Sequence, residues 1–150
     1  LGYDVEQLAR MITNLLGTSS LQPVILVGVG NLGTALLSYR GFQEEGFEIA
    51  AAFDVDARRH RDRKLPVTVY GMERLPEFIR EQHVKMAIIT VPANAAQEVA
   101  NTLVGSGITG ILNFAPIVLA VPEPGQMALM MMGGALVGWQ VIPPRRNTRS

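Results

Sequence analysis

The chain has 150 residues, 48% of them hydrophobic and 17% charged, with thirteen basic side chains against thirteen acidic ones. That is the size of one domain with an ordinary core, and the balanced charge argues against gripping nucleic acid unaided, because phosphate binding draws on an excess of Lys and Arg. The absence of cysteine excludes thiolate zinc sites, iron–sulfur ligation, disulfides and cysteine nucleophiles, and it fits a cytoplasmic protein.

The chain begins at Leu1 without a basic region followed by an apolar one, so no signal peptide is expected, and the sequence reads as a piece of something longer. Asp4 and Gln7 form a capping box. Val5, Leu8, Met11, Ile12, Leu15 and Leu16 then recur at helical spacing, and Gly17 sits where a C′ glycine belongs. Residues 1–17 are therefore expected to be a linker helix, running from Asp4 to Leu16. Residues 23–122 alternate short apolar runs with amphipathic ones. Pro23 to Val27 reads as a buried strand, Asn31 to Tyr39 as a helix and Phe47 to Val55 as a second strand. Val67 to Tyr70 is a candidate third strand, and Arg74 to Gln82 has helical character with Pro76 in its first turn. Met86 to Val91 is a strand ended by Pro92, Ala93 to Val104 a helix, and Gly110 to Phe114 another strand. This alternation predicts an α/β fold: a Rossmann-type, doubly wound, mostly parallel sheet with helices on both faces.

Residues 123–150 change character. Met127 to Trp139 holds four methionines, three glycines and no charge, and local rules assign it no secure structure. At thirteen residues it is shorter than the roughly 20 needed to cross a bilayer, so no membrane association is expected.

Gly28-Val29-Gly30-Asn31-Leu32-Gly33 is G-x-G-x-x-G, placed between a buried strand and an apolar helix. The first glycine permits a tight turn, the second lets backbone approach a pyrophosphate, and the third allows close helix–strand packing. The helix then directs its unpaired N–H groups at the phosphates. Asp54, with Val55 after it, ends the next strand 26 residues beyond Gly28, against a usual spacing of about 20. A carboxylate there accepts hydrogen bonds from an adenosine ribose and repels a 2′-phosphate, which favours NAD(H) over NADP(H). Arg58, Arg59, Arg61, Arg63 and Lys64 follow; two of them could bind such a phosphate, but a solvated loop is the preferred reading.

Thr90-Val91-Pro92-Ala93 and Asn113-Phe114-Ala115-Pro116 fall at the C-terminal ends of two later strands, the edge where open α/β sheets bind ligands. One reading leaves the polar groups of Thr90 and Asn113 facing a crevice; ordinary strand-end punctuation is the other. Hydride transfer would also need an acid–base group. His60, in the charged loop, reads as surface, as does His83 at a helix end, and Tyr39 has no evident lysine partner. No catalytic residue is expected, and a dinucleotide site without chemistry suits a sensor.

Gly2-Tyr3-Asp4-Val5, GVGNLGTALLSY (Gly28 to Tyr39), AAFDVD (Ala51 to Asp56), TVPANAAQEVA (Thr90 to Ala100) and GITGILNFAP (Gly107 to Pro116) together resemble the Rex family of bacterial redox-sensing transcriptional repressors. The resemblance implies a homodimer with a winged-helix DNA-binding domain ahead of a Rossmann domain, repressing when NAD⁺ dominates and leaving DNA when NADH binds. It implies that Gly28, Gly30 and Gly33, with Val29, Asn31 and Leu32 between them, hold the pyrophosphate, and that Asp54 and Val55 serve the adenosine side. Thr90, Val91, Pro92, Asn113, Phe114, Ala115 and Pro116 would line the nicotinamide half, with Tyr39 near it. Two departures accompany the resemblance. Gly2-Tyr3 matches the junction just after the winged helix, so operator DNA would be reached only through a domain not in this chain. The tail resembles none of the strand, Asp-containing segment and exchanged helix expected after Pro122, so an uncovered apolar surface and a weakly dimeric or aggregation-prone protein are expected. The alternative function is a CoA-binding or small NAD-dependent Rossmann module without a DNA role. Asp54 speaks against CoA, whose ribose carries a 3′-phosphate.

Overall fold

The computed structural model describes residues 21–120 and 128–131. The expected linker helix and the remainder of the tail lie outside the described residues. In chain order the elements are β1 (Gln22–Val27), α1 (Asn31–Leu37), α2 (Gly41–Glu44), β2 (Phe47–Asp54), a 3-10 turn (Ala57–His60), β3 (Val69–Gly71), a second 3-10 turn (Met72–Arg74), α3 (Leu75–Glu81), β4 (Met86–Ile89), α4 (Ala93–Gly105), β5 (Gly110–Asn113) and β6 (Ala128–Met131). The sheet runs β3-β2-β1-β4-β5-β6, and every pairing in it is parallel. This is the strand order of a dinucleotide-binding α/β fold, and it bears out the expected class.

Strand side chains alternate between two faces, and the core divides accordingly. Ile25, Val27, Ala51, Phe53, Ala87, Ile89 and Ile111 pack against Leu75 and Ile79 of α3 and Ala96, Val99, Ala100 and Leu103 of α4. Val24, Leu26, Ala52, Met86, Ile88 and Leu112 turn the other way, toward Leu36 and Leu37 of α1 and Phe42 of α2. Both faces are buried, so the strands read as unbroken apolar runs rather than as alternating ones.

Three features differ from the sequence expectation. The Gly41–Gly46 connection contains a helical turn, α2, anchored by the buried Phe42. Strand β4 ends at Ile89 rather than Val91, because Thr90 turns back toward the end of β1. The tail, expected to hold no secure structure, supplies β6, which pairs with β5 from Gly110↔Ala128 to Asn113↔Met131. Among the described residues no helix is long and apolar enough to cross a membrane.

Candidate functional site

Strand order reverses between β1 and β4, and the crevice at their C-terminal ends is where such sheets bind ligands. The three glycines of the β1–α1 turn occupy it with three different jobs. Gly28 has φ +102°, and a side chain there would also press within 2.8 Å of the Thr90 carbonyl. Its N–H donates to the Phe53 carbonyl of β2 at 2.8 Å. At Gly33 a Cβ would run into the Gly28 carbonyl oxygen, so only glycine lets α1 lie this close to the turn. Gly30 is the reverse case: nothing stands within 4 Å of the place its Cβ would take. It is exposed, extended at φ −85° and ψ −155°, and α1 has no side-chain cap. Packing explains glycine at the first and third positions. At the second, no packing among the described residues calls for it.

Asp54 closes the adjoining corner. Its Oδ2 accepts the Val29 N–H at 2.9 Å and its Oδ1 the Asp56 N–H at 2.9 Å. Burial raises the pKa of this carboxyl, but the Asp56 and Val29 amides and the nearby His60 ring outweigh it, and the net shift is below the ordinary carboxylate range. The group is therefore an anion that accepts hydrogen bonds. Leu32 and Val55, exposed apolar side chains at 46% and 88%, flank the turn and the carboxylate.

His60, read from the sequence as surface, belongs to this corner instead, and Arg63, exposed as a solvated loop would have it, reaches into the same corner. His60 is buried, and its Nε2 stands 3.4 Å from Asp54 Oδ2. Arg63 Nη1 lies 3.1 Å from His60 Nδ1, while its Nη2 donates to Thr34 Oγ1 of α1 at 3.1 Å. The i, i+3 spacing of His60 and Arg63 was the only sequence trace of this arrangement, and it acquires meaning only once α1 is placed beside it.

Across the crevice, the polar side chains at the ends of β4 and β5 turn inward, which favours the strand-end reading over the one in which they face the cleft. Thr90 Oγ1 donates to the Gly28 carbonyl at 2.6 Å and also lies 3.2 Å from the Val27 carbonyl. Asn113, fully buried, accepts the Ala115 N–H at 3.0 Å and donates to the Ile117 carbonyl at 3.0 Å. These two residues shape the rim; they do not present free polar groups to it. Ala115 is buried, whereas Pro92 and Pro116 are exposed and Val91 and Phe114 half-buried at the same edge.

Tyr39 is not brought to the cradle. It lies beyond the C-terminal end of α1, a helix of seven residues and so roughly 10 Å long, with its ring edge-on to Phe42 at 5.2 Å. There it borders a separate cavity of about 720 Å³ with Leu37, Phe42, Phe47, Lys64 and Pro66. Among the described residues no cluster of His, Cys, Asp or Glu could hold a metal ion.

Residues 19–117 match the family model described as CoA binding domain. The chain belongs to the CoA binding domain family. Within reach of that domain the Rex resemblance also holds. Over 122 residues, 81% of the chain, it is 45% identical to the redox-sensing transcriptional repressor Rex of Pelotomaculum thermopropionicum. It is similar too to the solved structure of RSP, a Rex-family repressor. The complex of RSP with β-NADH gives a TM-score of 0.71 at 34% identity over 88% of this chain, and the complex with β-NAD⁺ and operator DNA a TM-score of 0.69 at 33% identity over 89%. The chain spans 57% of the Pelotomaculum relative and 63% and 60% of these two RSP chains. Its CoA binding domain thus sits among relatives named as repressors rather than as enzymes.

Proposed function

We propose that this chain is the NAD(H)-binding sensor part of a Rex-like redox-sensing transcriptional repressor, without enzymatic activity of its own. The observation that carries the reading is Gly30: an exposed glycine with open space over it, in a turn whose other two glycines are fixed by packing, beside an ionised carboxylate. Gly30 and its neighbours would hold the pyrophosphate, and Asp54 the adenosine ribose. Leu32 and Val55 offer apolar surface to a flat ring, and the Val91–Pro92 and Phe114–Pro116 rim borders the nicotinamide half. Bound, the dinucleotide supplies a ring whose oxidation state differs in charge and planarity, which a sensor can read without turning it over.

The likeness to RSP, solved with β-NADH and with β-NAD⁺ and operator DNA, supports release from DNA by NADH as the output. Operator contact would be made through a winged-helix domain outside these 150 residues, in a cytoplasmic homodimer. The CoA-binding alternative is disfavoured by Asp54, which meets a phosphorylated ribose with like charge. Calorimetric titration with NADH and with CoA decides between them: NADH is expected to bind and CoA not, and the opposite order overturns the proposal.

A further inference from the structure

We infer that His60 is a positioning residue for nucleotide selectivity: wedged between Arg63 and Asp54, it fixes the carboxylate that favours an unphosphorylated ribose and ties down the cation that would welcome a phosphorylated one. The inference rests on the dinucleotide reading above and concerns how that site chooses between NADH and NADPH.

A guanidinium has donors only. With Arg63 Nη1 at 3.1 Å, His60 Nδ1 must offer a lone pair, and the ring proton therefore sits on Nε2, the atom 3.4 Å from Asp54 Oδ2. The ring thus accepts from Arg63 and turns its N–H side toward the carboxylate 3.4 Å away. Together with the Val29 and Asp56 amides it holds the carboxylate from three directions, so Asp54 cannot rotate away from an approaching phosphate without breaking all three. The second effect is on Arg63. The basic residues after Asp54, Arg58, Arg59, Arg61, Arg63 and Lys64, are all exposed, and the Arg63 guanidinium is engaged at both ends, on His60 and on Thr34 of α1. A 2′-phosphate would find the fixed anion near and the nearest engaged cation already committed.

The test is titration of the 150-residue chain and its variants with NADH and NADPH, with thermal melts alongside. His60→Leu keeps bulk and removes both polar contacts; it is expected to lower the NADH-over-NADPH preference about ten-fold, the scale of one polar contact to a charged group. His60→Gln, whose amide accepts from Arg63 and donates to Asp54, is expected to restore the preference. An unchanged preference in His60→Leu, even with both affinities reduced, overturns the inference, and so does failure of His60→Gln to restore it. If His60→Leu does not fold, the surface variant Thr34→Val decides, with a smaller shift in the same direction supporting the role and none overturning it. An unmutated chain that binds neither nucleotide overturns the dinucleotide reading itself, an outcome distinct from all of these.

Discussion

The hydroxyl of Thr90 donates to the carbonyl of Gly28 at 2.6 Å, across the point where strand order reverses between β1 and β4. It fixes the glycine turn from the neighbouring strand, while the Thr90 N–H continues the ladder to Val27 at 2.9 Å. Thr90→Val removes the first bond and leaves the second. The half-buried carbonyl then lacks this donor, at a cost of about 1–2 kcal/mol, and a melting temperature lower by roughly 3–6 °C is expected. NADH affinity should fall with it. An unchanged melt and an unchanged titration would show that the turn holds itself.

Gly30 and Gly33 should respond oppositely to side chains. Gly30→Val meets open space at a backbone angle any residue adopts, so the fold is expected to persist while nucleotide binding disappears. Gly33→Ala drives a methyl into the Gly28 carbonyl and is expected to destabilise the protein by several kcal/mol, on the scale of overpacking in a core. Circular dichroism with NADH titration separates the two. Retained binding in Gly30→Val places the phosphates elsewhere.

The packing roles of Gly28 and Gly33 were legible in the sequence because they follow from backbone rules that act within six residues. The alternation of apolar runs gave the doubly wound sheet for the same reason: both faces of β1, β4 and β5 are buried, and that writes itself into composition. His60 and Arg63 were not legible. Their loop is pinned by Thr34, 29 residues from Arg63, and no local pattern reports a partner at that distance. Thr90 and Asn113 were found as strand-end residues, but the direction of their side chains depends on which carbonyls the fold puts nearby. β6 escaped notice because pairing with β5, not the propensity of a methionine-rich segment, makes it a strand.

Asp54 gives the protein a pH signature. Burial alone would raise its pKa; the Asp56 and Val29 amides and His60 bring it net below the usual value. A carboxyl with a folded pKa below its unfolded one, about 3.9, contributes stability that is complete above the unfolded value and is lost as pH falls through the folded one. Asp54→Asn should therefore be less stable than the parent by a constant amount above about pH 5, and the gap should close below about pH 4. Denaturant melts across that range check it. A gap that widens in acid would mean the carboxyl is raised, not lowered.

Operator recognition is expected to need more than this chain. Thirteen basic and thirteen acidic residues leave no net charge with which to displace counterions from a duplex. A mobility-shift assay at moderate salt, with a defined promoter site, should show no sequence-dependent retention by the 150-residue chain. Specific retention would place a DNA-reading surface within the Rossmann sheet.

The edge of the sheet supplies the last prediction. β5 carries Ile111 and Leu112, both buried, and among the described residues its outer side is paired only with β6, from Ala128 to Met131. An unpaired parallel edge of this kind offers a row of free N–H and C=O groups to other chains. A chain ending at residue 127 therefore loses the cover of β5, whereas one ending at residue 131 keeps it. The shorter truncation product is expected to aggregate, or to melt at a clearly lower temperature, and the longer one to behave like the parent in the monomer-level melt. Size exclusion with light scattering, run beside thermal denaturation, distinguishes them. Should the two truncations behave alike and remain well dispersed, β6 contributes nothing that the other five strands lack. Should both aggregate while the full chain does not, the segment beyond Met131 is the part that protects the sheet, and the expectation of an uncovered apolar surface from residues 123–150 is wrong.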